Sequence, residues 1–253
     1  MKPLEGRKVL VTRPFSQADV MINLFEKAGA AILHEPLIEF RIHESKQNPR
    51  ILSELHDFNW VFFTSSNGVK FFFEWLQRIG RPVPRHIKVA VVGRNTKQTA
   101  EEMGVNVHFC PTTYDAEHMA EEFFVYHKEP GAVLYVRGDR SRETLLEILT
   151  EKGILFQSLT VYDTLLIKES EVISRELPSL DALTFTSPST IEAFLEITRK
   201  SNELALDIPC FCIGATTAEK AEAKGFNKIY YPSTFSVEEM VQQIIDYFSK
   251  EGF

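Results

Sequence analysis

The sequence predicts an α/β protein built on parallel sheets, and three features carry that prediction. Short apolar runs of four to six residues alternate with longer amphipathic segments along the whole chain, the order that makes parallel sheets flanked by helices. The runs are rich in β-branched and aromatic residues with little polar alternation, as in strands covered on both faces. Many helical segments stop on a glycine, at Gly29, Gly80, Gly104, Gly153 and Gly225. A left-handed residue ends a helix there, and glycine adopts that conformation without a Cβ penalty.

Taken in order, Lys8–Thr12 is the first expected strand and Gln17–Ala28 the first helix. Ile32–Ile42 is a long extended run, beyond a mean strand of about five or six residues. Trp60–Thr64 and Lys88–Val92 are largely apolar strands, followed by small-residue turns and helices at Gly68–Ile79 and Thr96–Met103. Val107–Cys110 is a further short strand and Ala116–Tyr126 a helix. Ala132–Val136 and Arg142–Lys152 make the next strand and helix, before a second long extended run at Leu155–Ile167. Strands at Ala182–Thr186, Pro209–Ile213 and Lys228–Tyr231 then alternate with helices at Thr190–Thr198, Thr216–Lys224 and Val237–Ser249.

An internal repeat underlies this order. Residues 88–125 lie on 209–246 without a gap at an offset of 121, with ten identities in thirty-eight, among them Gly93, Thr96, Gly104 and Pro111. At offset 122 Phe63-Thr64-Ser65 falls on Phe185-Thr186-Ser187, and at offset 124 Val9, Leu10 and Arg13 fall on Val133, Leu134 and Arg137. Two similar α/β units are expected. The two long runs occupy matching places in the repeat. Each is read as leaving one unit and entering the other, as an ordered two-stranded connector with a cleft between the units.

Composition bounds the function. Of the 253 residues, 28 are basic and 35 acidic, a net charge of −7. That argues against a nucleic-acid or anionic-membrane partner, both of which want a basic face. The three cysteines, Cys110, Cys210 and Cys212, are too few for a disulfide framework and suggest a reducing compartment. No signal peptide fits the first residues and no apolar stretch approaches 18 residues, so a soluble, cytoplasmic protein is expected.

The chain lacks G-x-G-x-x-G after a strand, G-x-x-x-x-G-K-[ST] and G-x-S-x-G, so dinucleotide, ATP and hydrolase readings lose their main support. None of its seven histidines pairs at i,i+4 or i,i+2, so no metal site is expected. What it offers is hydroxyl and glycine residues at six strand-to-helix turns: Thr12–Ser16, Thr64–Gly68, Gly93–Thr96, Gly138–Arg142, Thr186–Thr190 and Gly214–Thr217. Any one is explained by N-capping. Six together line the carboxyl edge of parallel sheets, where ligands bind in open α/β folds. Helix N-termini and hydroxyls there favour anions, and Arg13, Arg94, Arg137, Arg140 and Arg142 add positive charge.

The pieces VLVTRP, FTSSNGV, VVGRNT, RGDRSRETLLEILTEKG, SLTVYDT, FTSPST and IGATTAEKAEAKG followed by YYPS occur in one order along the chain. In that order the chain resembles the uroporphyrinogen-III synthase family over essentially its whole length. The resemblance implies two α/β domains, the first of residues 1–36 with 167–253 and therefore discontinuous, the second of 42–156, joined by connector strands 37–41 and 157–166. The repeat alone suggests contiguous halves. The implied activity is a cofactor-free cyclisation in tetrapyrrole and haem synthesis: hydroxymethylbilane, a linear tetrapyrrole with eight carboxylates, loses water and closes with inversion of ring D. The preceding pathway enzyme is then a transient partner, and the chain is expected to be monomeric.

By the same resemblance Tyr162, in the VY-x-T segment, is the catalytic candidate, assisting departure of the hydroxyl as a proton donor. A phenol with an unperturbed pKa near 10 donates at neutral pH without tuning. The substrate-binding candidates are Arg13, Ser65, Ser66, Thr96, Arg137, Arg142, Ser187, Thr216 and Thr217; Thr96 with Thr217 and Ser65 with Ser187 stand at equivalent turns of the repeat. The bland alternatives are ring packing for Tyr162, N-capping for the hydroxyls and solvated charge for the arginines. The competing function is a two-lobed binder of a multiply anionic small molecule that does no chemistry.

Overall fold

The computed structural model describes residues 2–251. β1 (Lys8–Val11), α1 (Phe15–Ala28), β2 (Ala31–His34) and β3 (Ile38–Ile42) open the chain. Then come α2 (Asn48–Ser53), β4 (Trp60–Phe63), α3 (Ser66–Arg78), β5 (Lys88–Val91), α4 (Arg94–Glu102), α5 (Ala116–Tyr126), β6 (Val133–Gly138), α6 (Thr144–Glu151) and β7 (Phe156–Leu166). α7 (Glu171–Glu176), β8 (Ala182–Phe185), α8 (Pro188–Ile197), α9 (Asn202–Asp207), β9 (Cys210–Cys212), α10 (Ala215–Ala223), β10 (Ile229–Tyr230) and α11 (Val237–Glu251) complete it.

These elements form two compact units, one of Met1–Glu39 with Leu165–Phe253, the other of Phe40–Thr164. The first holds a sheet in the order β10-β9-β8-β1-β2, parallel at every pairing. Its strands are buried on both faces: Leu10, Leu183, Cys210 and Cys212 pack toward α8 and α10, while Val9, Val11, Ala182 and Phe211 pack toward α1 and α11. Cys210 and Cys212 share one face as free thiols, which places them in the core. Gly29, at φ +89°, ends α1 and hydrogen-bonds back to Glu26.

The second unit holds the sheet β3-β7-β6-β4-β5. β7, β6, β4 and β5 run parallel. One face packs Val61, Phe63, Leu134 and Val136 on α3; the other packs Trp60, Phe62, Val133 and Tyr135 on α5 and α6.

The repeat is visible in the strand order. β6-β4-β5 in the second sheet matches β1-β8-β9 in the first, and an Ala90–Phe109 bridge beside β5 stands where Phe211 and Tyr230 pair in β9 and β10. That bridge is all that forms of the strand expected over Val107–Cys110. The expected run Ile32–Ile42 also divides, into β2 and β3 of different sheets, with Glu35–Leu37 between them. Pro36 sits in that break and has no N–H to carry a ladder through it. Leu155–Ile167, by contrast, forms one long strand, β7. The short helices α2, α7 and α9 lay outside the sequence expectation; at six residues each they hold too few turns to show a 3.6-residue period.

Candidate functional site

Because β4, β5 and β6 are parallel and adjacent, the turns that follow them lie on one edge of the second unit's sheet. The turn after β4 begins α3. Ser65 is its N-cap, in extended conformation, and its Oγ accepts a hydrogen bond from the Gly68 N–H at 3.0 Å. Ser66 opens the helix and is half-buried.

Tyr162, in the middle of β7, reaches this turn. Its hydroxyl lies 3.3 Å from Ser65 Oγ. The ring stacks on Phe71 at 5.4 Å between centroids and meets Phe40 edge-on at 5.6 Å. The residue is 8% exposed, and burial pushes its phenol above the ordinary value, with the Ser65 hydrogen bond acting the other way. Tyr162 therefore stays protonated throughout the neutral range. Gly138, at the end of β6, lies against the same ring: a Cβ there would come within 2.4 Å of Tyr162 Cζ and 2.7 Å of its hydroxyl oxygen. Only a residue without a side chain leaves room for the phenol.

The turn after β6 is stitched to the same place. Ser141 Oγ accepts from the Gly138 N–H at 3.0 Å, and the Asp139 carboxylate accepts from the Thr164 N–H at 2.9 Å. Tyr135, buried in β6, has its hydroxyl 3.4 Å from Thr64 Oγ1, and burial raises its phenol too. Tyr135 is not among the residues the sequence singles out, and Gly138 is singled out there only as the start of a turn. One signal for Tyr135 was available, since a tyrosine in an otherwise apolar buried strand needs a partner for its hydroxyl.

The arginines separate. Arg137 is 8% exposed and committed within the protein: its Nη2 donates to Glu143 Oε1 at 2.7 Å and to the Ser141 carbonyl at 2.6 Å. The Glu143 hydrogen bond raises its pKa, and the same pairing lowers that of Glu143. Arg142 is exposed.

In the first unit the turns after β1, β8 and β9 share the equivalent edge. Ser187 caps α8, its Oγ accepting from the Thr190 N–H at 3.4 Å. Arg13 follows β1; its Nε is buried with no hydrogen-bond partner among the described residues. Burial lowers its pKa, with Glu238 acting in the opposite sense. Thr216 is exposed. Thr217 and its counterpart Thr96 are 3% and 5% exposed, and among the described residues neither side chain makes a hydrogen bond. Their helices, α10 and α4, have Gly214 and Gly93 as N-cap residues, which supply no capping side chain. Among the described residues no group of three or more His, Cys, Asp and Glu is placed to hold a metal ion. Nor is any described helix long and apolar enough to cross a membrane.

A family model described as "Uroporphyrinogen-III synthase HemD" matches residues 19–242. The chain belongs to the uroporphyrinogen-III synthase family. A uroporphyrinogen-III synthase from Chlorobaculum parvum is 31% identical over 90% of this chain and 94% of its own. A porphyrin biosynthesis protein HemD from Ruminiclostridium josui is 28% identical over 97% of this chain, which spans about half (49%) of that longer relative. Among solved structures, uroporphyrinogen III synthase from Thermus thermophilus has a TM-score of 0.67 at 18% identity, covering 96% of this chain and 99% of that one. The Helicobacter pylori enzyme has a TM-score of 0.66 at 23% identity, covering 95% and 99%. Both share the two-unit α/β fold with this family member.

Proposed function

We propose that this family member is a cyclising lyase that converts hydroxymethylbilane to uroporphyrinogen III, with Tyr162 as the proton donor. The observation that carries the assignment of Tyr162 is its hydroxyl at the N-terminus of α3, beside Ser65 and under Gly138. Burial keeps that phenol protonated, and a proton given to the departing hydroxyl releases water. The bilane is left as an azafulvene cation, which ring D attacks through its substituted carbon. The resulting spiro intermediate fragments and recloses with ring D inverted, and the phenol regains its proton when the ring system loses one.

The remaining residues bind. Ser65, Ser66 and Thr96 in the second unit, and Ser187, Thr216 and Thr217 in the first, present hydroxyls at helix N-termini, where anions are favoured. The unpaired Nε of Arg13 supports a carboxylate contact there, and Arg142 is exposed for another. Arg137 keeps the turn after β6 in shape through Glu143 and Ser141, so its contribution to binding is indirect. Positioning dominates, because the uninverted isomer forms spontaneously and the enzyme must favour one closure over the other. Domains of 1–36 with 167–253 and of 42–156, with connector strands 37–41 and 157–166, are supported by the nearby limits of the two compact units. A monomer in the cytoplasm, in transient contact with the enzyme that supplies the bilane, is part of the same reading.

The test is incubation with enzymatically generated hydroxymethylbilane, followed by chromatographic separation of the type I and type III isomers. Type III product above the spontaneous background is expected. Type I alone, with the bilane still bound, would favour the non-catalytic binder.

A further inference from the structure

Each unit carries an aromatic ring laid over the glycine that starts a helix, at the same place in the internal repeat. In the second unit the ring is Tyr114, and a Cβ on Gly93 would meet its Cβ and Cγ at 3.1 and 3.2 Å. In the first it is Phe235, and a Cβ on Gly214 would meet its Cγ and Cδ1 at 3.0 and 3.1 Å. Both pairs are related by the repeat offset of 121 residues, as are Thr96 and Thr217.

The two rings are held the same way. The Asp115 N–H donates to the Thr113 carbonyl at 3.1 Å, and the Ser236 N–H to the Thr234 carbonyl at 2.8 Å. Asp115 then caps α5 by accepting from the His118 N–H, and Ser236 caps α11 by accepting from the Glu239 N–H. The rings are fixed in position yet are 49% and 63% exposed. Packing alone does not explain them, because about half of Tyr114 and nearly two thirds of Phe235 remain exposed. Between the two copies the hydroxyl differs and the flat ring is shared. Tyr114 is further held by Arg94, whose Nε donates to its hydroxyl at 2.5 Å and whose guanidinium lies 5.6 Å from the ring centroid.

Beside each ring stand the features of an anion site. α4 and α10 have no side-chain cap at their N-termini. Thr96 and Thr217, each more than nine-tenths buried, have hydroxyls that make no hydrogen bond among the described residues. A flat electron-rich ring bearing acidic side chains matches both halves, with its face on the aromatic and a carboxylate on the helix N-terminus. On the proposed function, on which this inference rests, the substrate consists of four such rings. We infer that Tyr114 and Phe235 are stacking shelves, each receiving one pyrrole whose carboxylate is taken by the adjacent threonine and backbone N–H groups.

The test has two arms. In the first, Tyr114→Ala and Phe235→Ala are assayed with hydroxymethylbilane. A stacked aromatic pair is worth about 0.5–1.5 kcal/mol, so each change should raise KM about 2- to 12-fold, with kcat moved less. Tyr114→Phe and Phe235→Tyr should restore KM, while Tyr114→Leu and Phe235→Leu should not. A wild-type KM in the alanine variants, or full rescue by leucine, would overturn the inference. In the second arm the unmodified protein is titrated with pyrrole-3,4-dicarboxylate and with its saturated analogue pyrrolidine-3,4-dicarboxylate, observing the ring protons of Tyr114 and Phe235 by NMR. Shifts with the pyrrole alone are expected. Shifts of equal size with both would mean an anion site without stacking, and no shift with either would mean no site. If the protein makes no type III product yet the pyrrole still shifts both rings, the shelves stand and the proposed reaction falls.

Discussion

Tyr162→Phe separates chemistry from packing. The substitution removes one hydroxyl and leaves the stack on Phe71 and the edge contact with Phe40 in place. The lost hydrogen bond to Ser65 is long at 3.3 Å, against an O–H···O optimum of about 2.7–2.8 Å. Ser65 Oγ keeps its bond from the Gly68 N–H, so no buried polar group is orphaned. A typical hydrogen bond contributes about 0.5–1.5 kcal/mol net, and the long contact puts the stability cost at or below the lower end of that range. Proton donation is a different scale: general acid catalysis typically supplies about 10²–10⁴ in rate. Turnover of hydroxymethylbilane should therefore fall by that factor in a folded protein, with type III still formed slowly and type I rising as spontaneous closure competes. A companion variant sharpens the test. Gly138→Ala puts a methyl within 2.4 Å of Tyr162 Cζ, displacing the ring while keeping the phenol, and should lose rate although the donor is still present. Wild-type turnover by Tyr162→Phe, measured by chromatography of the isomers, would refute the catalytic role and leave Tyr162 a packing residue.

Three further outcomes follow from the same contacts. Ser65→Ala should destabilise the second unit by about 1 kcal/mol through loss of the α3 N-cap, with Ser65→Thr restoring most of it in thermal melts. Arg137→Ala should cost about 1.5–3 kcal/mol, the usual worth of hydrogen bonds to a charged group, because its bond to the Ser141 carbonyl is buried from solvent on the arginine side; equal stability in urea titrations would show that the pairing is idle. The Lys8 ammonium at 2.5 Å, helped by Arg175, holds the Glu176 carboxyl down to about 2 from an ordinary 4.5. A depressed carboxyl stabilises the fold above its unfolded pKa and loses that contribution as pH falls through the folded one. Wild type should therefore exceed Glu176→Gln in stability at neutral pH, and the gap should close between pH 4.5 and about 2.

The fold class, the positions of most strands and helices, the repeat and the turn residues of both rims were legible in the sequence because each is written in local signals. A buried parallel strand such as Trp60–Phe63 is apolar along its whole length. A glycine such as Gly29 stands where φ must be positive. A serine such as Ser65 stands where a helix needs a cap. Long-range contacts settled the rest. Whether Ile32–Ile42 is one strand or two depends on which sheet each half pairs with. Whether Val107–Cys110 is a strand depends on how far it pairs with β5, and the pairing is an isolated bridge, Ala90 to Phe109. Arg137 looks the same in sequence as Arg142, but its guanidinium turns back onto Glu143 and Ser141. Tyr162, Ser65 and Gly138 come from or just beyond three separate strands, up to 97 residues apart, and only the parallel register of β4, β6 and β7 brings them to one place. Periodicity and turn chemistry act over a few residues, whereas a hydrogen bond between distant segments is decided by how the sheet is assembled.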